Sequence, residues 1–170
     1  EGLFKDYDDI RNSAKQTWGD VMPGDIKYRD VNGDGIVNDK DYVPIGATNR
    51  PNLIYGFGFS AQWKGFDVNV LFQGAGKSTF FIDGYTVYPF KDGDWGNILT
   101  DVVKSNRWIL GENEDPNAKY PRLSYGGNNN NYQSSTYWMR NGSYLRLKNL
   151  EVGYTIPKSI VNKIRLNNIR

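Results

Sequence analysis

The chain has 170 residues, enough for one domain with a sizeable core. Its 21 Lys+Arg against 19 Asp+Glu leave a formal net charge of +2, too little to argue for a nucleic-acid partner. The absence of Cys and His excludes thiol chemistry, disulfide staples and the usual zinc or imidazole sites, while 15% aromatic content and 19 Gly favour strands and turns over helix bundles.

In chain order, Phe4, Tyr7, Ile10 and Ala14 recur at helical spacing, with Asp6, Asp8 and Asp9 early and Lys15 late, as the helix dipole prefers. A short surface helix is expected over 4–18. Residues 24–50 are turn-rich and contain Asp30, Asn32, Asp34, Gly35, Ile36, Asn38 and Asp41. Side-chain oxygens at positions 1, 3, 5 and 9, Gly at 6, a backbone carbonyl at 7 and an acid at 12 make a calcium-type loop over 30–41. Position 12 is Asp41 rather than Glu, closer to dockerin-type loops than to helix–loop–helix sensors, and a shorter acid is the poorer bidentate ligand. A loop closed by its own Asx turns accounts for the same residues.

Residues 53–74 read as two runs of strict alternation joined by Lys64-Gly65. Leu53, Tyr55, Phe57, Phe59, Ala61 and Trp63 share one face of the first run, and Phe66, Val68, Val70 and Phe72 one face of the second. The other face carries Ile54, Gly56, Gly58, Ser60 and Gln62 in the first run and Asp67, Asn69, Leu71 and Gln73 in the second, and is mostly glycine, amide, hydroxyl and acid. A soluble sandwich would bury the bulky face. A membrane barrel would turn it to lipid and the small polar face to a wet lumen.

Residues 75–143 form a long irregular stretch, with turns at Asp83-Gly84, Asp92-Gly93 and Gly126-Gly127-Asn128 and a helix expected near 97–106. A loop of that length implies function or outside support. Gly74-Ala75-Gly76-Lys77-Ser78-Thr79 imitates the end of a phosphate-binding loop, but Leu71 stands where its first Gly belongs, so no nucleotide is expected. Asp92, Asp94, Glu112 and Glu114 read as solvated loop acids, and no enzyme activity is expected. Asn141-Gly142-Ser143 has the form of a glycosylation acceptor, with modification not expected.

Residues 144–156 return to strand character, with Leu150, Val152, Tyr154 and Ile156 on one face. Leu145 and Leu147 have the opposite parity, which predicts a bulge near Lys148-Asn149. A short turn follows over 157–163, and another strand is expected to begin over 164–170. No apolar run approaches the length of a transmembrane helix. The short–long–short sequence of connections and the strand lengths suit an outer-membrane barrel. The chain is expected to be a fragment of something longer.

Three stretches then resemble, in order, the SusC/RagA-type TonB-dependent outer-membrane transporters: PGDIKYRDVNGDGIVNDKDYVPIGA over 23–47, NRWI over 106–109 with NEDPNAKYPRLS over 113–124, and YWMRNGSYLRLKNLEVGYTIP over 137–157. The resemblance implies an all-β piece of a barrel of 22 strands around a plug. Residues 1–52 and 75–143 would be extracellular loops, 53–74 a transmembrane hairpin, 144–156 a further transmembrane strand and 157–163 a periplasmic turn. It implies a place in the Gram-negative outer membrane, import of glycans or peptides, a SusD-like lipoprotein as lid, and TonB acting through a plug. Calcium, where bound, would stiffen an external loop. Tyr85, Tyr88, Trp95 and Trp108 are then candidates for stacking on sugar rings, against the alternative of packing the loops together. A soluble, secreted, calcium-bound carbohydrate-binding or adhesion domain is the competing reading, and a glycan-cleaving enzyme a remote third.

Overall fold

A computed structural model describes residues 1–85, 87–91, 96–164 and 170. Its elements in chain order are α1 (Tyr7–Arg11), β1 (Lys15–Gln16), β2 (Ile36–Val37), β3 (Leu53–Trp63), β4 (Phe66–Gly76), β5 (Thr79–Phe81), α2 (Thr100–Lys104), β6 (Met139–Asn141), β7 (Tyr144–Tyr154) and α3 (Lys158–Val161). Strand dominates the regular structure, and the fold is all-β with a few single-turn helices. The chain divides into a strand unit, residues 46–80 and 140–170, and a loop unit, residues 1–45 and 81–139.

The strand unit is built on an antiparallel sheet in the order β3-β4-β7. Lys64 and Gly65 both take positive φ, +48° and +89°, the geometry of a type I′ turn whose twist matches the strands it joins. The hairpin is in register throughout, from Trp63↔Phe66 to Leu53↔Gly76. Between β4 and β7 the pairing runs Leu71↔Asn149 and then Phe72↔Leu147, so Lys148 is the extra residue of a bulge. The bulge reverses the parity of β7 at the expected place and moves Leu145 and Leu147 onto the face that holds Leu150 and Val152. Among the described residues the outer edges of β3 and β7 pair with no further strand. The strand expected to begin within 164–170 falls mainly on 165–169, outside the described residues, while Asn162–Ile164 is a 3₁₀ turn.

The loop unit departs from sequence expectation at its start. The helix predicted over 4–18 is a single turn, because the Asp6 side chain caps it at one end and Asn12 closes it at the other. Lys15 and Gln16 pair in parallel with Ile36 and Val37 instead, so a long-range strand contact overrides helical spacing. Phe4, taken as part of the helix face, is buried ahead of it. The helix near 97–106 is the turn α2. Leu3, Ile26, Trp108 and Ala118 form an apolar cluster, with Tyr28 and Tyr137 packed against it. Gly24 makes that cluster possible. It sits at φ +85°, and a Cβ there would lie 2.3 Å from Trp108 Cδ2.

Candidate functional site

The register of the strand unit collects the bulky side chains on one side. Successive cross-strand rows read Trp63–Phe66–Tyr154, Ala61–Val68–Val152, Phe59–Val70–Leu150 and Phe57–Phe72–Leu147. Phe57 and Phe72 stack at 5.2 Å, and Phe66 and Tyr154 meet at 4.6 Å. Tyr55 lies across Gly74, where a Cβ would fall 2.2 Å from the ring. No second sheet covers this face among the described residues: Phe59 is 59% exposed, Trp63 69% and Val152 69%. A water-soluble body rarely displays such a continuous apolar surface.

The opposite face is polar and internally bonded. Ser60 Oγ donates to Asn69 Oδ1 at 3.1 Å, and Asn149 Nδ2 donates to Glu151 Oε1 at 2.8 Å. Arg146 donates to Gln73 Oε1 at 3.3 Å, and the Arg170 guanidinium pairs with Asp67. Gly56, Gly58 and Gln62 share this face, together with the apolar Ile54 and Leu71. The arrangement is a two-faced wall of 11-residue strands, bulky and apolar on one side and mostly small or polar on the other, Ile54 and Leu71 being the apolar exceptions. Such a wall is the repeating unit of membrane β-barrels.

In the loop unit, the calcium-type loop is closed by its own side chains. Asp30 accepts from the Gly33 and Gly35 N–H groups at 2.7 and 2.8 Å. Asn32 Oδ1 accepts from the Asp34 N–H, and Asp34 Oδ1 from the Ile36 N–H. Asp41, buried, takes the Val31 and Asn38 N–H groups at 2.9 and 2.8 Å, which ties the two ends together. Asn38 caps the 3₁₀ turn Asp39–Asp41. Among the described residues, no group of three or more acidic side chains lies close enough to hold a metal ion without amide or carbonyl help.

The predicted sugar-stacking residues are scattered. Tyr85 is exposed, and Lys91 Nζ stands over its ring and over that of Tyr88, at 4.8 and 5.0 Å. Tyr88 is 5% exposed, stacked on Tyr132 at 4.2 Å and edge-on to Trp138. Trp108 is 4% exposed in the apolar cluster, so as placed neither Tyr88 nor Trp108 offers a ring face to solvent. Trp95 lies outside the described residues.

Burial first, and a hydrogen bond with Asp83 second, push the Tyr88 phenol up to about 12. Folding therefore favours the protonated phenol; that stabilisation is present below the unfolded value of 10.0 and is lost as pH rises from there to about 12. Stability of the loop unit should fall across that window, and Y88F should flatten the loss, read as thermal midpoint against pH; an unchanged profile in Y88F would contradict the assignment. Asp101 is shifted the other way, held well below the usual carboxylate range by Lys119, then by Tyr120 and Ser105.

Sequence reasoning missed the polar core of the loop unit. Asp25 is fully buried; its carboxylate accepts from Arg122 Nη2 at 3.1 Å and lies 2.7 Å from Arg122 Nε as an ion pair. It also accepts from Asn128 Nδ2, Asn131 Nδ2 and the Met22 N–H. Asn131 Oδ1 then receives the Ile26 N–H at 2.8 Å, and Asn130 and Gln16 both donate to the Ile26 carbonyl at 3.0 Å. The Asn-rich run after Gly126-Gly127 reads as a turn, yet Asn128, Asn130 and Asn131 are buried. No periodicity signals this, because the segment is irregular and wholly polar.

No protein-family model matches the chain. Its sequence is 30% identical over 152 residues to a TonB-dependent receptor of Formosa agariphila, covering 89% of this chain and 14% of the relative. A second TonB-dependent receptor of that organism is 28% identical over 169 residues, 99% of this chain and 16% of the relative. The chain is thus homologous over most of its length to a stretch of TonB-dependent receptors, and spans about one-seventh of the curated relatives it matches.

Proposed function

We propose that this chain is a section of the barrel wall and loops of a SusC-type TonB-dependent receptor in a Gram-negative outer membrane. One observation carries the reading: a three-strand register, corrected by a bulge at Lys148, that gathers most of the bulky side chains on one largely exposed face. The similarity to two TonB-dependent receptors supports it. The bulky face meets lipid, and the glycine, amide and acid face lines the lumen of a barrel of 22 strands. The whole receptor imports a glycan or peptide, with a SusD-like lipoprotein as lid and TonB pulling on a plug; the barrel does no covalent chemistry. The order of the three stretches that resemble SusC/RagA-type transporters supports this finer assignment. The test is accumulation of a labelled oligosaccharide or peptide library by cells with the receptor intact, deleted, or lacking TonB. Uptake should disappear in both mutants, and a SusD-like lipoprotein should co-purify with the receptor. A receptor found free in the aqueous fraction would favour the secreted-domain reading.

The loop 30–41 is proposed to take calcium through Asp30, Asn32, Asp34, the Ile36 carbonyl, Asn38 and Asp41. Support comes from an all-oxygen donor set in calcium-loop order and from Asp41 joining the loop ends. The ion would stiffen a loop whose hydrogen bonds already close it. Calcium should raise the thermal midpoint of the receptor and slow proteolysis of this loop, a chelator should reverse both, and D34N should abolish the response. A midpoint indifferent to calcium and chelator would leave a loop held by Asx turns alone.

A further inference from the structure

The turn between β3 and β4 contains a residue that turn geometry does not favour. Both central positions of a type I′ turn need positive φ, and Asn-Gly meets that need with least strain. Here the first position is Lys64 at φ +48°, a left-handed conformation that costs a lysine more than an asparagine. The turn is also rigidly seated. The Thr155 N–H donates to the Gly65 carbonyl at 2.7 Å, and a Cβ on Gly65 would lie 2.9 Å from the Thr155 carbonyl oxygen and 3.1 Å from the Tyr154 ring.

The seat points a cation at a defined place. Trp63, Phe66 and Tyr154 form the last row of the apolar face, and the Lys64 ammonium stands 4.8 Å over the Trp63 ring. Lys64 is exposed and belongs to no ion pair among the described residues. The nearest acid in sequence, Asp67, belongs to the polar face and is engaged by Arg170. An apolar aromatic row that ends in an ammonium set over its last ring, with no ion-pair partner among the described residues, matches the boundary between hydrocarbon and headgroup.

We propose that the Trp63–Lys64 corner is a binding site for the phosphate group of a membrane phospholipid, Lys64 supplying the charge and Trp63 the apolar wall. The proposal rests on reading the sheet as a membrane wall. The strain at position 64 is then the cost of holding a cation at headgroup depth.

The test compares the intact receptor with K64N and K64R in nanodiscs containing phosphatidylglycerol in phosphatidylcholine, with bound lipid counted by native mass spectrometry. K64N should bind phosphatidylglycerol about fivefold more weakly, the loss expected for one lysine at an anionic surface. Its thermal midpoint should match or exceed that of the parent, since Asn suits the turn, and K64R should bind as the parent does. Equal lipid retention in K64N would overturn the proposal and leave Lys64 a solvated turn residue. Displacement of the lipid by millimolar inorganic phosphate would overturn the lipid assignment in favour of a free-anion site. A parent receptor that does not enter nanodiscs at all would overturn the membrane reading, an outcome distinct from loss at Lys64.

Discussion

Arginine in place of Phe59 should prevent assembly of the receptor in the outer membrane, while arginine at the adjacent Ser60 should not. Phe59 is the β3 member of the row Phe59–Val70–Leu150, about halfway along the strands. A guanidinium facing hydrocarbon at that depth costs about 2–4 kcal/mol in a β-barrel. Ser60 faces the other way, in the row Ser60–Asn69–Glu151, where an added cation meets a carboxylate in a wet environment. That substitution should stay within about 0.5 kcal/mol. The measurement is the fraction of receptor in the outer membrane that shows heat-modifiable electrophoretic mobility. Assembly of F59R together with failure of S60R would invert the proposed orientation of the wall. Equal tolerance of both would mean that neither face meets lipid.

Asp25→Ala should unfold the loop unit. The substitution leaves the partly exposed Arg122 without its carboxylate and removes the acceptor from the Asn128 and Asn131 amides and the Met22 N–H. Removing one partner of a fully buried ion pair costs about 3–5 kcal/mol; solvent at Arg122 lowers that, while each orphaned buried donor adds to it. Most domains have only about 5–15 kcal/mol to lose. Asp25→Asn should be less severe, since it keeps an acceptor oxygen but loses the charge opposite Arg122. Limited proteolysis resolves the two outcomes: the segments 1–45 and 96–139 should become cleavable in D25A before the strands do. Wild-type protection of these segments in D25A would show that the apolar cluster around Trp108 holds the unit without the polar network.

Most of the strand unit was legible from residue order because it is a local pattern repeated many times. Alternation in 53–63 and 66–74 set the faces, Lys64-Gly65 set the turn, and the parity change between Leu147 and Leu150 located the bulge at Lys148. Each of those signals depends on near neighbours in the chain. The loop unit offered no such repeats. Helical spacing from Phe4 to Ala14 was outweighed by the pairing of Lys15-Gln16 with Ile36-Val37, a contact set by residues some twenty positions away. The aromatic candidates failed to separate by type: Tyr85 stays exposed while Tyr88 and Trp108 are buried, and only the packing around each decides that.

By itself, then, the residue order determined a two-faced ribbon with a known turn and a known register error, because period-two alternation dictates side-chain direction in any strand. The tertiary structure decided which polar residues are interior. Asp25, Asn128, Asn130 and Asn131 are buried because partners about a hundred positions apart satisfy their hydrogen bonds at once, and the low dielectric around them makes each bond depend on the rest.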